Sequence, residues 1–386
     1  MRRQEIRFHT TRSTVLEMRE KAAAARKAQR RLGNISTEAK NEALERIAQE
    51  LLRRRDEIEL ANGADVEDAK RNQLEAPLLK RLKLQGEKID QAARGVRSVA
   101  GLVDPSGKIL EARKLDEGLS LYRVSCPIGV LGMIFESRPD ALVQMASLSL
   151  KSGNAVLLKG GSEAMRSNRI LTEIISEAVS TAGAGVPEGW IALLEGREEV
   201  GAMLSLSDDI DLIIPRGSKS FVKYIMQHTS IPVLGHADGV THLFVDAEAD
   251  LEMAVRVAED SKTQYVAVCN ALETLLVDRA VAPYFLPAFK ERMDEREVLL
   301  KGCAETREII DCDPAAEEDW SSEYLAPVLS VRIVAGLDEA VGHINRYGSG
   351  HTDAVVTGNR EKAEEFMNLV DSADVMWNCS TRFSDG

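Results

Sequence analysis

RPDALVQMASLSLKSGNAVLLKGGSEAMRSNRILTEIISEAVSTAG, residues 138–183, reads as helix up to Gly153, a short apolar strand running into a Gly-Gly loop, and helix again. Moving outward, WIALLEG, a short helix, DLIIPRG and SKSFVKYIMQHT continue the alternation. Strands separated by helical stretches of roughly 10 to 20 residues predict a parallel sheet covered on both faces. Upstream, LSLYRVSCPIGVLGMIF holds two β-type runs broken at Pro127, a residue that cannot donate to a ladder. Downstream the pattern restarts with THLFVD and runs through CNALETLLVD, YLAPVLSVRIV, TDAVVTG and DVMWN, with helices over 250–263, 336–346 and 359–370. A second α/β unit follows from this. From Thr14 to about Gly101 the chain reads as helical, with Leu44, Ile47, Leu51 and Leu52 at three- and four-residue steps and Gly33, Gly63 and Gly86 as stops or turns.

With 386 residues, 44% hydrophobic and 29% charged, the chain can bury more than one core. No apolar run approaches the ~18 to 20 residues that span a bilayer, and MRRQEIRFHTTR is not followed by an apolar stretch. The expectation is a cytoplasmic protein without membrane partners. Residues 1–55 hold 15 Lys+Arg against 7 Asp+Glu, leaving −21 on the remainder. The cations lie along Ala- and Glu-rich helical sequence without interleaved aromatics, which reads as a solvated face and argues against nucleic acid. The cysteines, at 126, 269, 303, 312 and 379, lack metal-ligand or disulfide spacing, so no metal is expected.

A thiol catalyses as thiolate, so its surroundings select it. Cys312 sits between Asp311 and Asp313, where carboxylates are expected to raise its pKa. Cys126 precedes Pro127, Cys303 lies in a turn, and Cys379 in WNCSTRF has no evident activator. Cys269 ends YVAVC at a loop-to-strand junction, the setting of a reactive residue, although a cysteine beside apolar neighbours also suits an inert core position. In AVLLKGGSEA a strand delivers Lys159 into Gly160-Gly161-Ser162 at a helix start. That arrangement either receives an anion or simply turns the chain, and it matches neither G-x-G-x-x-G nor the P-loop. DLIIPRGSKSF places Arg216, Gly217 and Ser218 similarly, as a dinucleotide site or as an ordinary N-cap at Ser218.

As an ordered set, SCPIGVLGMIFESRPDALVQMASLSLKSGNAVLLKGGSEA, PRGSKSFVKYI, GHADGVTHLFVD, VCNALETLLV and GHTDAVVTGN resemble the gamma-glutamyl phosphate reductases of the aldehyde dehydrogenase superfamily. They resemble equally the reductase half of the pyrroline-5-carboxylate synthases. The resemblance implies an aldehyde dehydrogenase-like α/β fold with two parallel-sheet α/β domains plus a small β oligomerisation arm. The parts implied are 1–115 as the helical start of the cofactor domain, 116–126 as the arm strand, 127–245 as the nicotinamide-cofactor-binding domain, 246–370 as the catalytic domain and 371–386 as a return segment ending before a C-terminal arm. On that division the strand around 119–125 would lack its partner and expose a sheet edge.

The implied reaction, in proline biosynthesis, is NADPH-dependent reduction of gamma-glutamyl phosphate to glutamate 5-semialdehyde and phosphate. Cys269 matches the nucleophile and would carry a thioester. Hydrolytic aldehyde dehydrogenases place a glutamate in an E-L-G-G-K stretch; the matching LGHADG has none, consistent with a thioester kept from water. His236 and Asp238 there are either acid/base groups or loop packing. The resemblance assigns Lys159, Gly161, Ser162 and Glu163 to the cofactor's adenosine side, Gly217 and Ser218 to its pyrophosphate, and Glu323 to the nicotinamide ribose. Glu163 could bond ribose hydroxyls or repel a 2′-phosphate, which leaves NADPH against NADH open. Glu136, Ser137 and Arg138 form the loop that faces the nucleophile in relatives. Asn270, Ser137 and the Cys269 N–H are the candidate oxyanion donors. Arg138 and Arg382 suit the substrate's carboxylate and phosphate, or simple surface ion pairs. A homo-oligomer at full length and association with glutamate kinase are the expected partnerships. The alternatives are another acylating aldehyde dehydrogenase, CoA- or phosphate-linked, or an inactive cofactor-binding fragment.

Overall fold

The computed structural model describes residues 11–183, 185–216, 219–235 and 239–384, and divides into two units, Met1–Gly235 and His236–Gly386. In the first, helices α1 (Arg12–Leu32), α2 (Thr37–Arg53), α3 (Arg55–Arg71), α4 (Ala76–Leu82) and α5 (Glu87–Gly101) lead to a hairpin of β1 (Ile109–Asp116) and β2 (Leu119–Val124). Then come β3 (Val130–Ile134), α6 (Pro139–Lys151), β4 (Ala155–Lys159), α7 (Met165–Thr181), β5 (Ile191–Leu193), α8 (Arg197–Met203), β6 (Leu212–Pro215) and α9 (Lys219–Gln227). The sheet is parallel, in the order β5-β4-β3-β6.

Its strands are apolar apart from Lys159 at the end of β4, because both faces are covered. Leu131 and Met133 of β3 with Val156 and Leu158 of β4 pack on α2, α5, α6 and α7, whereas Val130, Ile134, Ala155 and Leu157 pack on α1, α8 and α9. Gly33 does close α1, and Gly86, at φ +55°, opens α5. Gly63 differs from expectation and lies inside α3. The helix continues through it because neighbouring Asn62 is buried, donating to the Leu82 carbonyl at 2.8 Å and accepting from Leu84 N–H at 2.8 Å; those tertiary bonds outweigh the ~1 kcal/mol a mid-helix glycine costs.

The hairpin differs from expectation at its first strand. Residues 109–115, taken as the end of the helical part, are strand and pair antiparallel with β2, Ala112 opposite Tyr122, and among the described residues the other edge of β2 has no strand beside it. Nearly every side chain of the ribbon is exposed.

The second unit holds β7 (Thr241–Val245), α10 (Leu251–Thr263), β8 (Leu272–Asp278), α11 (Ala282–Glu295), β9 (Leu299–Gly302), α12 (Ala304–Ile309), β10 (Asp313–Pro314), β11 (Val328–Val334), α13 (Leu337–Tyr347), β12 (Thr352–Val356), α14 (Arg360–Leu369) and β13 (Asp374–Trp377). All seven strands run parallel in the order β10-β9-β11-β8-β7-β12-β13. Successive side chains again serve opposite faces, so Leu243, Leu275, Leu329 and Ala354 meet α10 and α11, whereas Phe244, Leu276 and Val355 meet α13 and α14. β7, expected to close the first domain at 245, pairs with β8 and β12 and belongs to this second sheet. Among the described residues no helix is long and apolar enough to cross a membrane.

Candidate active site

In the first unit the predicted residues gather where strands end and helices begin. β4 ends on Lys159, which is 7% exposed and donates from Nζ to the Gly160 carbonyl. Burial pushes this ammonium's pKa down, with Glu163 and Glu199 pulling it back and Arg197 adding to the fall. Gly160 is required by packing, since a Cβ there would sit 2.2 Å from Asn168 Nδ2 and 3.1 Å from the Phe135 ring. Gly161 then leads into the 3-10 turn Ser162–Ala164 and α7.

Glu163 folds back over Gly161 and accepts from both donors of Ser137, the backbone N–H at 2.8 Å and the hydroxyl at 2.5 Å. Ser137 is 4% exposed and takes φ +27°, a conformation that costs a non-glycine residue on the order of 1–3 kcal/mol unless its surroundings hold it. The Glu163 carboxylate supplies that hold. Ser137 and Glu163, expected to serve catalysis and cofactor separately, therefore form one contact. Arg138, next in the loop, is half-exposed and pairs with Asp140 at 3.1 Å, the surface ion pair weighed as its alternative; Glu136 is exposed.

Ser162 and Glu163 also line a cleft of about 500 Å3 shared with Asp65 and Asp68 of α3 and Arg166 and Arg169 of α7. A buried cation, a carboxylate acceptor and the opening N–H groups of α7 together suit a dinucleotide's ribose hydroxyls and phosphates. Gly217, Ser218, His236 and Asp238 lie outside the described residues.

In the second unit the thiol stands at the opposite end of the strands, just ahead of β8. Cys269 is half-buried. Its carbonyl accepts from Thr241 Oγ1 at 3.0 Å, and Gly239 packs so closely that a Cβ there would lie 2.1 Å from the Cys269 oxygen and 2.4 Å from its Cα. Only glycine permits this approach. Asn270, fully buried, donates from Nδ2 to Ser384 Oγ at 3.0 Å, while its carbonyl accepts from Thr381 Oγ1 at 2.7 Å. Arg382, between those residues, donates from Nε to Gln264 Oε1 at 3.1 Å. Glu323 lies half-buried on the segment before β11, close enough to the buried Glu273 carboxylate to help raise that group's pKa.

The structure thus brings Cys269, Asn270 and Arg382 together through the turn Thr381–Ser384. Sequence reading missed Gly239, Thr241, Thr381 and Ser384; the one available signal was a glycine directly before a buried strand, which marks a close backbone approach. The other thiols lie in different surroundings, and for Cys312 the cause differs from the one expected. Cys312 is raised chiefly by burial, opposed by the Gly302 backbone and Arg307, and Asp311 adds only a little. Burial raises Cys379 as well, Cys303 bonds Thr306 Oγ1 at 3.2 Å, and Cys126 is exposed.

A model described as the aldehyde dehydrogenase family matches residues 2–306 and 309–385. The gamma-glutamyl phosphate reductase of Pelotomaculum thermopropionicum is 57% identical over 371 residues, 96% of this chain and 85% of that protein. The enzyme of the same name from Acetivibrio thermocellus is 56% identical over 371 residues, 96% of this chain and 86% of that one. Among solved structures, the gamma-glutamyl phosphate reductase of Thermotoga maritima superposes with a TM-score of 0.92 at 40% identity, covering 96% of this chain and 90% of that chain. A glyceraldehyde-3-phosphate dehydrogenase of Methanocaldococcus jannaschii, complexed with NADP, shares the fold at 17% identity and a TM-score of 0.65, covering 99% of this chain and 88% of that chain. The chain belongs to the aldehyde dehydrogenase family, in the branch of the gamma-glutamyl phosphate reductases.

Proposed function

We propose that the chain reduces gamma-glutamyl phosphate to glutamate 5-semialdehyde and phosphate, with NADPH, through a thioester on Cys269, as a step of proline biosynthesis. The observation that carries the reading is the seating of Cys269, half-exposed at a strand's leading edge with its backbone fixed by Gly239 and Thr241, in a chain more than half identical to reductases of that name.

The Cys269 thiolate attacks the acyl carbon, the C–O bond to phosphate breaks, and phosphate leaves with the electron pair, so no acid is needed for departure. Bound NADPH supplies the hydride that brings the thioester to the aldehyde level. The Cys269 N–H and the Asn270 amide steady the oxyanion that precedes release of aldehyde and thiolate. Ser137 contributes differently from the expectation: its hydroxyl and N–H are committed to Glu163, so it holds the loop beside Lys159 in place. In the first unit Lys159, Ser162 and Glu163 are the groups for the cofactor's adenosine side and Arg138 a candidate for a substrate anion; in the second, Glu323 is the group for the nicotinamide ribose, and Arg382, aimed by Gln264, is a candidate for a substrate anion.

The test is the reverse reaction, phosphate-dependent reduction of NADP by glutamate semialdehyde, in wild type and Cys269→Ser. Turnover that needs phosphate and is lost in the variant supports nucleophile and substrate together. Turnover surviving the substitution overturns the nucleophile, and a requirement for CoA in place of phosphate overturns the substrate.

A further inference from the structure

Lys262 Nζ meets Glu273 Oε2 at 2.7 Å, and both side chains are 0% exposed. Lys262 lies in the last turn of α10 and Glu273 is the second residue of β8, so the pair clasps the two ends of the segment that carries Cys269. The other carboxylate oxygen, Oε1, accepts the Leu325 backbone N–H at 3.2 Å. Leu325 takes φ +51°, a left-handed conformation that a non-glycine residue keeps only where its surroundings impose it, and it stands two residues after Glu323. One buried carboxylate thus faces a cation on one side and the Glu323 loop on the other.

An apolar pair of similar volume would stabilise such a core at least as well as a buried ion pair. Stability alone is therefore no account of it, whereas the directed bond to the loop is. We propose that Glu273, anchored by Lys262, is a positioning residue that holds the Glu323–Leu325 loop in register with the strand edge bearing Cys269. This rests on the reading of Cys269 as nucleophile and Glu323 as ribose acceptor. The electrostatics agree with the geometry. Burial pushes the Glu273 carboxyl up to about 7 against the pull of Lys262 and the Leu325 N–H, with Glu323 contributing to the rise, which places the two carboxylates within each other's field.

The experiment compares two double variants with Glu323→Ala. K262M/E273Q keeps an acceptor for the Leu325 N–H, whereas K262M/E273L fills the same space without one. A positioning role predicts a cofactor KM within about threefold of wild type for the first and raised about tenfold for the second. Glu323→Ala would raise it comparably, and the effects of K262M/E273L and Glu323→Ala would not add when combined. Equal cofactor KM in the two double variants, with Glu323→Ala still impaired, overturns the role of Glu273 and leaves the function standing. No effect of Glu323→Ala overturns the ribose assignment and this proposal with it. Where K262M/E273L does not fold, hydrogen exchange at the Leu325 amide of K262M/E273Q decides: protection supports the bond to residue 273, and exchange at the rate of exposed neighbours refutes it.

Discussion

Replacing Gly239 by alanine tests how tightly Cys269, the proposed nucleophile, is seated. The added Cβ would stand 2.1 Å from the Cys269 carbonyl oxygen, 2.4 Å from its Cα and 2.5 Å from its carbonyl carbon, where relaxed non-bonded contacts need about 3.5 Å. All three neighbours are main chain, so no rotamer change relieves the overlap, and the two segments must separate by roughly 1 Å. The bond from Thr241 Oγ1 to the Cys269 carbonyl, now 3.0 Å, stretches with them. A displacement of ~1 Å at a reacting atom costs about 10²-fold in rate, and overpacking of this kind about 1–3 kcal/mol in stability. Gly239→Ala should therefore lower kcat about a hundredfold in the phosphate-dependent assay and lower Tm by a few degrees. Cofactor affinity, measured by fluorescence titration, should be nearly unchanged. Activity within threefold of wild type at an unchanged Tm would refute the reasoning.

Ser137→Ala separates a positioning role from an oxyanion role: removing a donor to the transition state costs about 10²–10³ in kcat, whereas loss of the hydroxyl bond to Glu163 should raise the cofactor KM and lower kcat less than tenfold in steady-state kinetics. His343 supplies a pH prediction. It is 5% exposed, neither ring nitrogen has a partner among the described residues, and burial first, then His242, Arg332 and Arg346, push its pKa from 6.5 down to about 3. Between those values the unfolded chain binds the proton that the folded protein refuses, so this contribution to stability is complete above about 6.5 and is lost as pH falls, by up to ~1.4 kcal/mol per pH unit. His343→Phe, which keeps the ring packing on Trp320 and Tyr347, should flatten the acid side of a urea-denaturation profile; an unchanged slope between pH 4 and 6.5 would count against it.

The alternation of strand and helix was legible because the central strands of both sheets, such as β3, β4, β7 and β8, are buried throughout and so appear as mainly apolar runs. Where burial stops, legibility stops: ILEARKLD of β1 is exposed along nearly its whole length and carries no period to read. Gly63 was mistaken for a stop because the bonds that keep α3 continuous come from Leu82 and Leu84, outside any local window. THLFV was readable as the strand on which the second alternation starts, and it was the division at 245 implied by the resemblance that set it in the first domain; its partners include Ala354 and Val355, more than a hundred residues on.

The same distinction separates the candidate residues of the first unit from those of the second. Parallel strands bring helix N-termini to their carboxyl ends, and there the first unit needs only the contiguous run from Lys159 to Glu163, a motif that sequence displays. In the second unit the residues packed around the Cys269–Asn270 backbone arrive on different segments at the leading edge of the strands. Gly239 and Thr241 come from the approach to β7, Thr381 and Ser384 from the last turn, and Glu273 reaches across to Leu325. None of these pairings leaves a spacing to recognise. The strand pattern left Cys269 open between a reactive and an inert position and the family resemblance selected it, but what seats it is a property of the folded chain, and Gly239 is the position where a single methyl group should expose that dependence most sharply.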